Sequence, residues 1–228
     1  MSNCKTNLSA RTRMVLLAGA LLFGLVAANP GVLVAQSSDG EDGPVRVGDL
    51  WVYDTRDEVT GYPKSTYSEL VTEVSAKEIL TEITFSGTDA SAILTYDPAW
   101  NRIDNLIWKF TPNDGQGISL PLAVGKTWRA EFDLKNNQTG KNFRGSSQSK
   151  VTARETVTTA AGTFQTFKIE RHTREIDTAN PTRHVDGLVV DWYAPQINHW
   201  VRRTFYTTQD KRMRASTSEE LTDFSRKL

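Results

Sequence analysis

The chain has 228 residues, with 27 basic and 27 acidic side chains and a single cysteine, Cys4. Balanced charge excludes the strong positive field of a nucleic-acid binder. One cysteine, placed four residues from the start, leaves the rest of the chain without a disulfide, a thiolate metal site or a cysteine nucleophile.

Residues 1–35 read as a secretory signal peptide. Lys5, Arg11 and Arg13 form a positive start, Met14–Ala28 is apolar, and small residues follow, with cleavage expected after Ala35 or after Ala28. No cysteine follows the apolar run, so it is not a lipoprotein leader. The alternative is an uncleaved anchor, but Asn29-Pro30 interrupts the run and it is short for a span. The expected location is periplasmic or secreted. Removing those three charges leaves 24 basic against 27 acidic residues, a formal charge of −3. Residues 36–44 (Q-S-S-D-G-E-D-G-P) read as a flexible linker with no apolar residue to bury. Asp39, Glu41 and Asp42 lack the remaining spacing of a calcium loop.

A β-domain is expected over residues 45–228. Leu50–Tyr53 places Trp51 and Tyr53 on one face and Leu50 and Val52 on the other. Thr60-Gly61-Tyr62-Pro63 is a corner, and Tyr67–Val74 is again extended. Ile79, Thr81, Ile83 and Phe85 alternate with Leu80, Glu82 and Thr84. Turn chemistry recurs at Ser86–Asp89 and Asn113-Asp114-Gly115, with short strands between. From Trp128, the residues Trp128, Ala130, Phe132 and Leu134 face one way and Arg129, Glu131, Asp133 and Lys135 the other. That pattern puts one face on a core and one in water. Glu155–Glu170 reads as a hairpin turning at Gly162. Strands are also expected at Val185–Ala194, His199–Thr207 and Met213–Thr217, while Glu219–Phe224 is open between a strand and a short helical turn. Arg171 falls on the face of Phe167 and Ile169, so either a bulge intervenes or that face turns polar. Val47-Gly48-Asp49-Leu50-Trp51 is echoed by Val124-Gly125-Lys126-Thr127-Trp128, about 77 residues later. Two duplicated β-units, 45–119 and 120–228, would explain the echo. About ten to twelve short strands and no long helical period after residue 35 predict an all-β, antiparallel meander forming a curved half-barrel or open barrel.

The order V-G-K-x-W, E-T-V-T-x-A-A-G-T-F-x-x-F-K-I-E, W-Y-A-P and E-E-L-x-x-F resembles a family of bacterial envelope domains of unknown function with V-P-A-G-T-F and W-Y-A-P signatures. The resemblance spans Leu120–Phe224 and implies curved β half-barrels, distantly similar in shape to periplasmic lipoprotein carriers. Ala160 stands where the family's proline is common. The resemblance carries over no catalytic residue.

Residue chemistry adds little. The chain has no nucleophile elbow, zincin motif, P-loop or dinucleotide fingerprint. His184 and Asp186 share a strand face, but two ligands do not make a metal site. Asp54, Asp57 and Glu58 could serve as acid–base carboxylates only in a cleft of set separation. Arg202, Arg203, Lys211, Arg212 and Arg214 cluster in one hairpin among Trp200, Phe205 and Tyr206. Arginine with aromatics suits phosphate headgroups of an anionic membrane surface, acidic glycans or nucleic acid or, more simply, a charged outer face that discourages edge pairing. The expectation is a non-enzymatic exported domain, with no cofactor or metal, holding an apolar or amphipathic, lipid-like ligand. Trp128, Phe132, Phe167, Ile169 and Trp192 are expected to line its concave face. The alternatives are an interaction module for another envelope protein, with a free sheet edge or apolar patch, and, third, a hydrolase.

Overall fold

The computed structural model describes residues 43–113 and 116–226. The expected signal peptide and most of the expected linker lie outside the described residues. Among the described residues twelve strands follow one another: β1 (Leu50–Asp57), β2 (Pro63–Val74), β3 (Ile79–Phe85), β4 (Ser91–Tyr96), β5 (Arg102–Asp104), β6 (Trp108–Thr111), β7 (Thr127–Asn136), β8 (Asn142–Thr159), β9 (Gly162–Asp177), β10 (His184–Ala194), β11 (His199–Gln209) and β12 (Arg212–Ser225). Each pairs antiparallel with its sequence neighbours, and β1 pairs with β12, from Leu50 opposite Ser225 to Asp57 opposite Thr217. The expected antiparallel all-β meander is therefore present, and its sheet closes into a barrel. Closure satisfies the backbone donors and acceptors that an open sheet would leave at its edges. The ladder is thinnest at β5–β6, where Asp104 opposite Lys109 is the pairing. Glu219–Phe224 continues β12 as strand.

Glycine corners set the hairpins. Gly48 and Gly125 take φ of 93° and 92°, in the left-handed region that a side chain disfavours. Their N–H groups donate to the carbonyls of Val71 and Val151, each at 2.8 Å, and the N–H groups of Val71 and Val151 return 2.9 Å bonds to Asp49 and Lys126. At the far ends, Asp57 and Asn136 each accept at Oδ1 from the two N–H groups that follow and from a threonine hydroxyl, Thr60 or Thr139. A register shift then follows Val71 in β2 and Val151 in β8. The hairpins β1–β2 and β7–β8 thus share both corners and a bulge.

The inward positions make two packed regions. The larger holds Trp51, Tyr53, Tyr67, Val71, Tyr96, Trp100, Ile169, Val201 and Leu221; the smaller holds Phe110, Ala130, Phe132 and Leu134. β8 and β9 outrun their neighbours. β7 reaches Lys150 and β10 reaches Phe167, leaving the hairpin tip beyond them paired only with itself. The tip packs back on the main core through Val157 and Phe164, buried at 5% and 7% exposure. Its bend follows the bulge between Val151 and Ala153, which supplies the extra twist.

Candidate functional site

The middle of the lumen is polar. Along β9 the inward row runs Ile169, Arg171, Thr173 and Glu175, with no register shift inside the strand from Ile169 onward. The Arg171 question therefore resolves in favour of a face that turns polar. Across from Ile169 lies Asp191, 1% exposed, which accepts a hydrogen bond from Arg203 Nε and lies 3.5 Å from Arg171 Nη2. The Arg203 guanidinium stacks 3.3 Å above the Trp200 ring. Burial disfavours the Arg203 charge, but Asp191 outweighs it and holds the guanidinium protonated. For Arg171 burial wins over Asp191 and lowers its pKa. Paired charges of this kind are tolerated inside a protein because each satisfies the other's desolvation.

A second group lies on β2, β3 and β12. Glu69, 1% exposed, accepts a 2.8 Å bond from Thr81. Burial raises its pKa against the pull of Thr81 and Arg203. Burial also pushes Glu219 up to about 7, opposed by Arg203 and by a hydrogen bond from Tyr67.

Beside these groups, His199 is fully buried in an aromatic sandwich. Its ring lies 4.2 Å from Trp51 and 3.6 Å from Trp200, both stacked, and 4.7 Å from Trp100 edge-on. Burial holds the imidazole neutral, with its pKa well below the ordinary value.

Two chambers of about 300 Å³ each remain in the lumen. Tyr96, Arg102, Trp200, Arg203 and Phe205 border both and form the wall between them. The first is lined by Tyr67, Ile83, Phe85 and Leu94, with Glu69 and Glu219 among them and Lys64 at its side. The second is lined by Trp100, Gln116, Arg171, Thr173, Glu175 and Val189. At its wall Gly187 packs close against Thr173, whose hydroxyl a Cβ there would strike.

The five residues expected on a concave binding face are not brought together as one. Ile169 is fully buried in the main core, and Trp128 and Phe167 pack against its margin. Phe132 belongs to the smaller cluster, filling the space above Gly145. Trp192 also touches the main core but from the outer face of β10: its neighbours Asp191 and Tyr193 take the inward positions, and its indole N–H donates 2.5 Å to Glu155 between Lys168 and Arg202. None of the five lines either chamber.

The basic hairpin is also divided. Arg202 points out and bonds Glu220 at 2.7 Å, whereas Arg203 points in. Lys211, Arg212 and Arg214 stand exposed at the β11–β12 turn. His184 Nε2 lies 3.4 Å from Asp186, which is held by Arg174 at 2.7 Å. Among the described residues no group of three or more His, Cys, Asp or Glu is placed to hold a metal. Alternation could have found Glu69 and Glu219, each sharing a strand face with apolar neighbours. Reading Arg203 as part of a surface cluster hid the residue that ties both chambers.

Residues 129–218 match the DUF3108-like family model, which bears out the resemblance seen in the sequence. A candidate lipoprotein from Parabacteroides distasonis superposes with a TM-score of 0.51 at 15% identity, covering 81% of this chain and 98% of that one. A candidate exported protein with a YmcC-like fold from Bacteroides fragilis gives 0.49 at 17% identity, over 80% of this chain and 98% of that one. The hypothetical lipoprotein YmcC from Escherichia coli gives 0.48 at 10% identity, over 85% and 92%. The first likeness shows that this barrel fold is shared across widely diverged sequences. No curated protein matches the chain.

Proposed function

We propose that the chain is an exported, non-enzymatic barrel that holds a small amphipathic ligand in its first chamber. The observation that carries this is the lining: Tyr67, Ile83, Phe85, Leu94 and Phe205 offer apolar contact, while Arg102, Arg203, Glu69 and Glu219 offer polar partners at the same cavity. Sites of this mixture, at the low end of ligand-pocket volumes, suit one apolar body with one polar head. A volume of about 300 Å³ is small for a two-chain lipid and fits a single short chain. Export is supported by the leader and by two structural neighbours described as lipoprotein and exported candidates. The non-enzymatic reading is supported by His199, which is wholly enclosed by aromatic rings and so out of a substrate's reach. An interaction module working by strand addition is less well supported, because β1 and β12 pair and leave no edge there.

The test uses decanol, an uncharged probe, and an Ile83→Trp variant that fills the first chamber. Saturable decanol binding by the parent chain, lost in a variant with an unchanged far-ultraviolet spectrum and urea midpoint, supports the reading. Absence of binding by the parent, or equal binding by both, overturns it.

The β11–β12 turn favours a second role beside this one. Lys211, Arg212 and Arg214 are exposed together with Met213, 49% exposed, a combination suited to an anionic membrane surface. Replacing the three cations with glutamine would weaken co-sedimentation with phosphatidylglycerol vesicles at low salt; unchanged co-sedimentation would refute the contact.

A further inference from the structure

The second chamber collects hydrogen-bond donors without acceptors. Arg102 Nε, Gln116 Nε2 and Arg171 Nε are all buried, and none has a hydrogen-bond partner in the protein. All three residues line this one cavity. A buried donor left unpaired costs roughly 1–3 kcal/mol, and more when it is charged. Three such donors on one cavity form a coherent set, since all lack the same thing.

The charges point the same way. Arg102, Arg171 and Arg203 face the chamber, and the carboxylates on its side are Asp191 and Glu175. Asp191 is already shared between Arg203 and Arg171. Glu175 is raised by burial, so it gives up its charge readily, and Arg102 acts to oppose that. Glu69 and Glu219 line the first chamber, beyond the shared wall. Arg102 and Arg203 border both chambers and also act on Glu69, and Arg203 on Glu219, so the group left short of a partner here is Arg171, whose one close carboxylate, Asp191, already binds Arg203. Gly117 and Gly187 pack tightly against the protein at the cavity wall: a Cβ on Gly117 would collide with the Ala99 carbonyl, and one on Gly187 with the Thr173 hydroxyl.

We propose that this chamber binds an oxyanion, a carboxylate or phosphate group, held by Arg102, Gln116 and Arg171. An oxyanion offers several acceptor lone pairs in the geometry that guanidinium forks match, and charge-assisted bonds are the strong ones. The site does not depend on an apolar ligand in the first chamber. Its occupant is either a free anion or the head of a larger molecule.

Titration calorimetry on the mature chain would use sodium phosphate, sodium acetate and decyl phosphate, each against sodium chloride of equal ionic strength. Saturable binding of at least one probe is expected. It should weaken on the order of tenfold in Gln116→Leu and in Arg102→Lys, the fold being checked by near-ultraviolet dichroism. Binding of phosphate or acetate alone identifies a free anion; binding of decyl phosphate only identifies a headgroup, and either result supports the site. Gln116 lies between strands rather than in one, so Gln116→Leu tests the site even if the arginine variant fails to fold. No saturable binding beyond the chloride control, or parent-like binding by Gln116→Leu, overturns the proposal.

Discussion

Tyr53 and His199 meet inside the barrel wall, the phenol oxygen 2.5 Å from the imidazole Nδ1. The same hydroxyl donates 2.8 Å to the carbonyl of Trp200. A hydroxyl has one proton, so if it goes to the carbonyl, Nδ1 must carry the hydrogen and donate. His199 Nε2 is then an acceptor, turned toward Glu69 at 3.9 Å. One phenol thus fixes the tautomer of a buried ring and anchors the start of β11 to β1. Tyr53→Phe removes both bonds and leaves two buried polar groups unpaired. The expected cost is about 1–3 kcal/mol, read as a lower urea midpoint with an unchanged slope. A midpoint equal to that of the parent would show that the phenol contributes packing alone.

Much of this arrangement was legible beforehand, and the part that was not has a physical reason. Period-two alternation places Trp51, Tyr53, Phe132 and Ile169 correctly, because burying one face of a strand leaves a regular record. The same rule fails at Trp192. Alternation there was followed for the hydrophobic residue, although inward positions in this barrel go to Asp191 and Tyr193. Arg203 is hidden for a related cause: a charge is read as solvent-facing unless its partner is known, and Asp191 lies on another strand. Closure of the sheet is a property of strand number and register, which no local pattern records.

The Glu219 carboxyl gives the barrel a pH response of defined sign. Its folded value is about 7 and its unfolded value 4.5. Between these the folded chain keeps a proton that the unfolded chain has released, so stability falls as pH rises from 4.5 to 7. His199 acts in the opposite sense: below 6.5 the unfolded chain takes a proton that the folded chain refuses, so stability falls as pH drops. The parent's profile mixes the two. The difference between the parent and Glu219→Gln isolates the carboxyl. It should change by up to roughly 1.4 kcal/mol per pH unit in that window, with the variant gaining relative to the parent as pH rises. Parallel profiles from denaturant melts at several pH values would remove Glu219 from the account.

Gly145 faces Phe132 across the β7–β8 pair, and a Cβ at that position would run into the phenyl ring. Gly145→Ala should therefore destabilise by about 1–3 kcal/mol, the usual cost of overpacking. Phe132→Leu creates space at the same point. The double variant should be more stable than the sum of the two single changes predicts, with a coupling of about 0.5–3 kcal/mol. Additivity would mean that the strand backbone, rather than the ring, absorbs the added methyl group.

Trp192 lies on the outside, where its indole meets Glu155 and is flanked by Lys168 at 5.3 Å and Arg202 at 5.8 Å. Arg202 also bonds Glu220 through both Nε and Nη2, so the outer faces of β8 to β12 are linked by two carboxylates and two cations around one ring. Cation–π and ion-pair contacts in partial contact with water contribute little individually, about 0.5–1 kcal/mol. Trp192→Phe keeps the ring and loses the N–H donor, so its stability cost should be under about 1 kcal/mol. Because the side chain borders neither chamber, binding of decanol and of the oxyanion probes should be unaltered. The difference in acrylamide quenching between the parent and Trp192→Phe isolates this indole from the other five tryptophans, and for an outward Trp192 that difference persists whether or not the lumen is occupied. Protection of that signal by a lumen ligand would place the indole inside and return the binding face to the strand surface first read from the sequence.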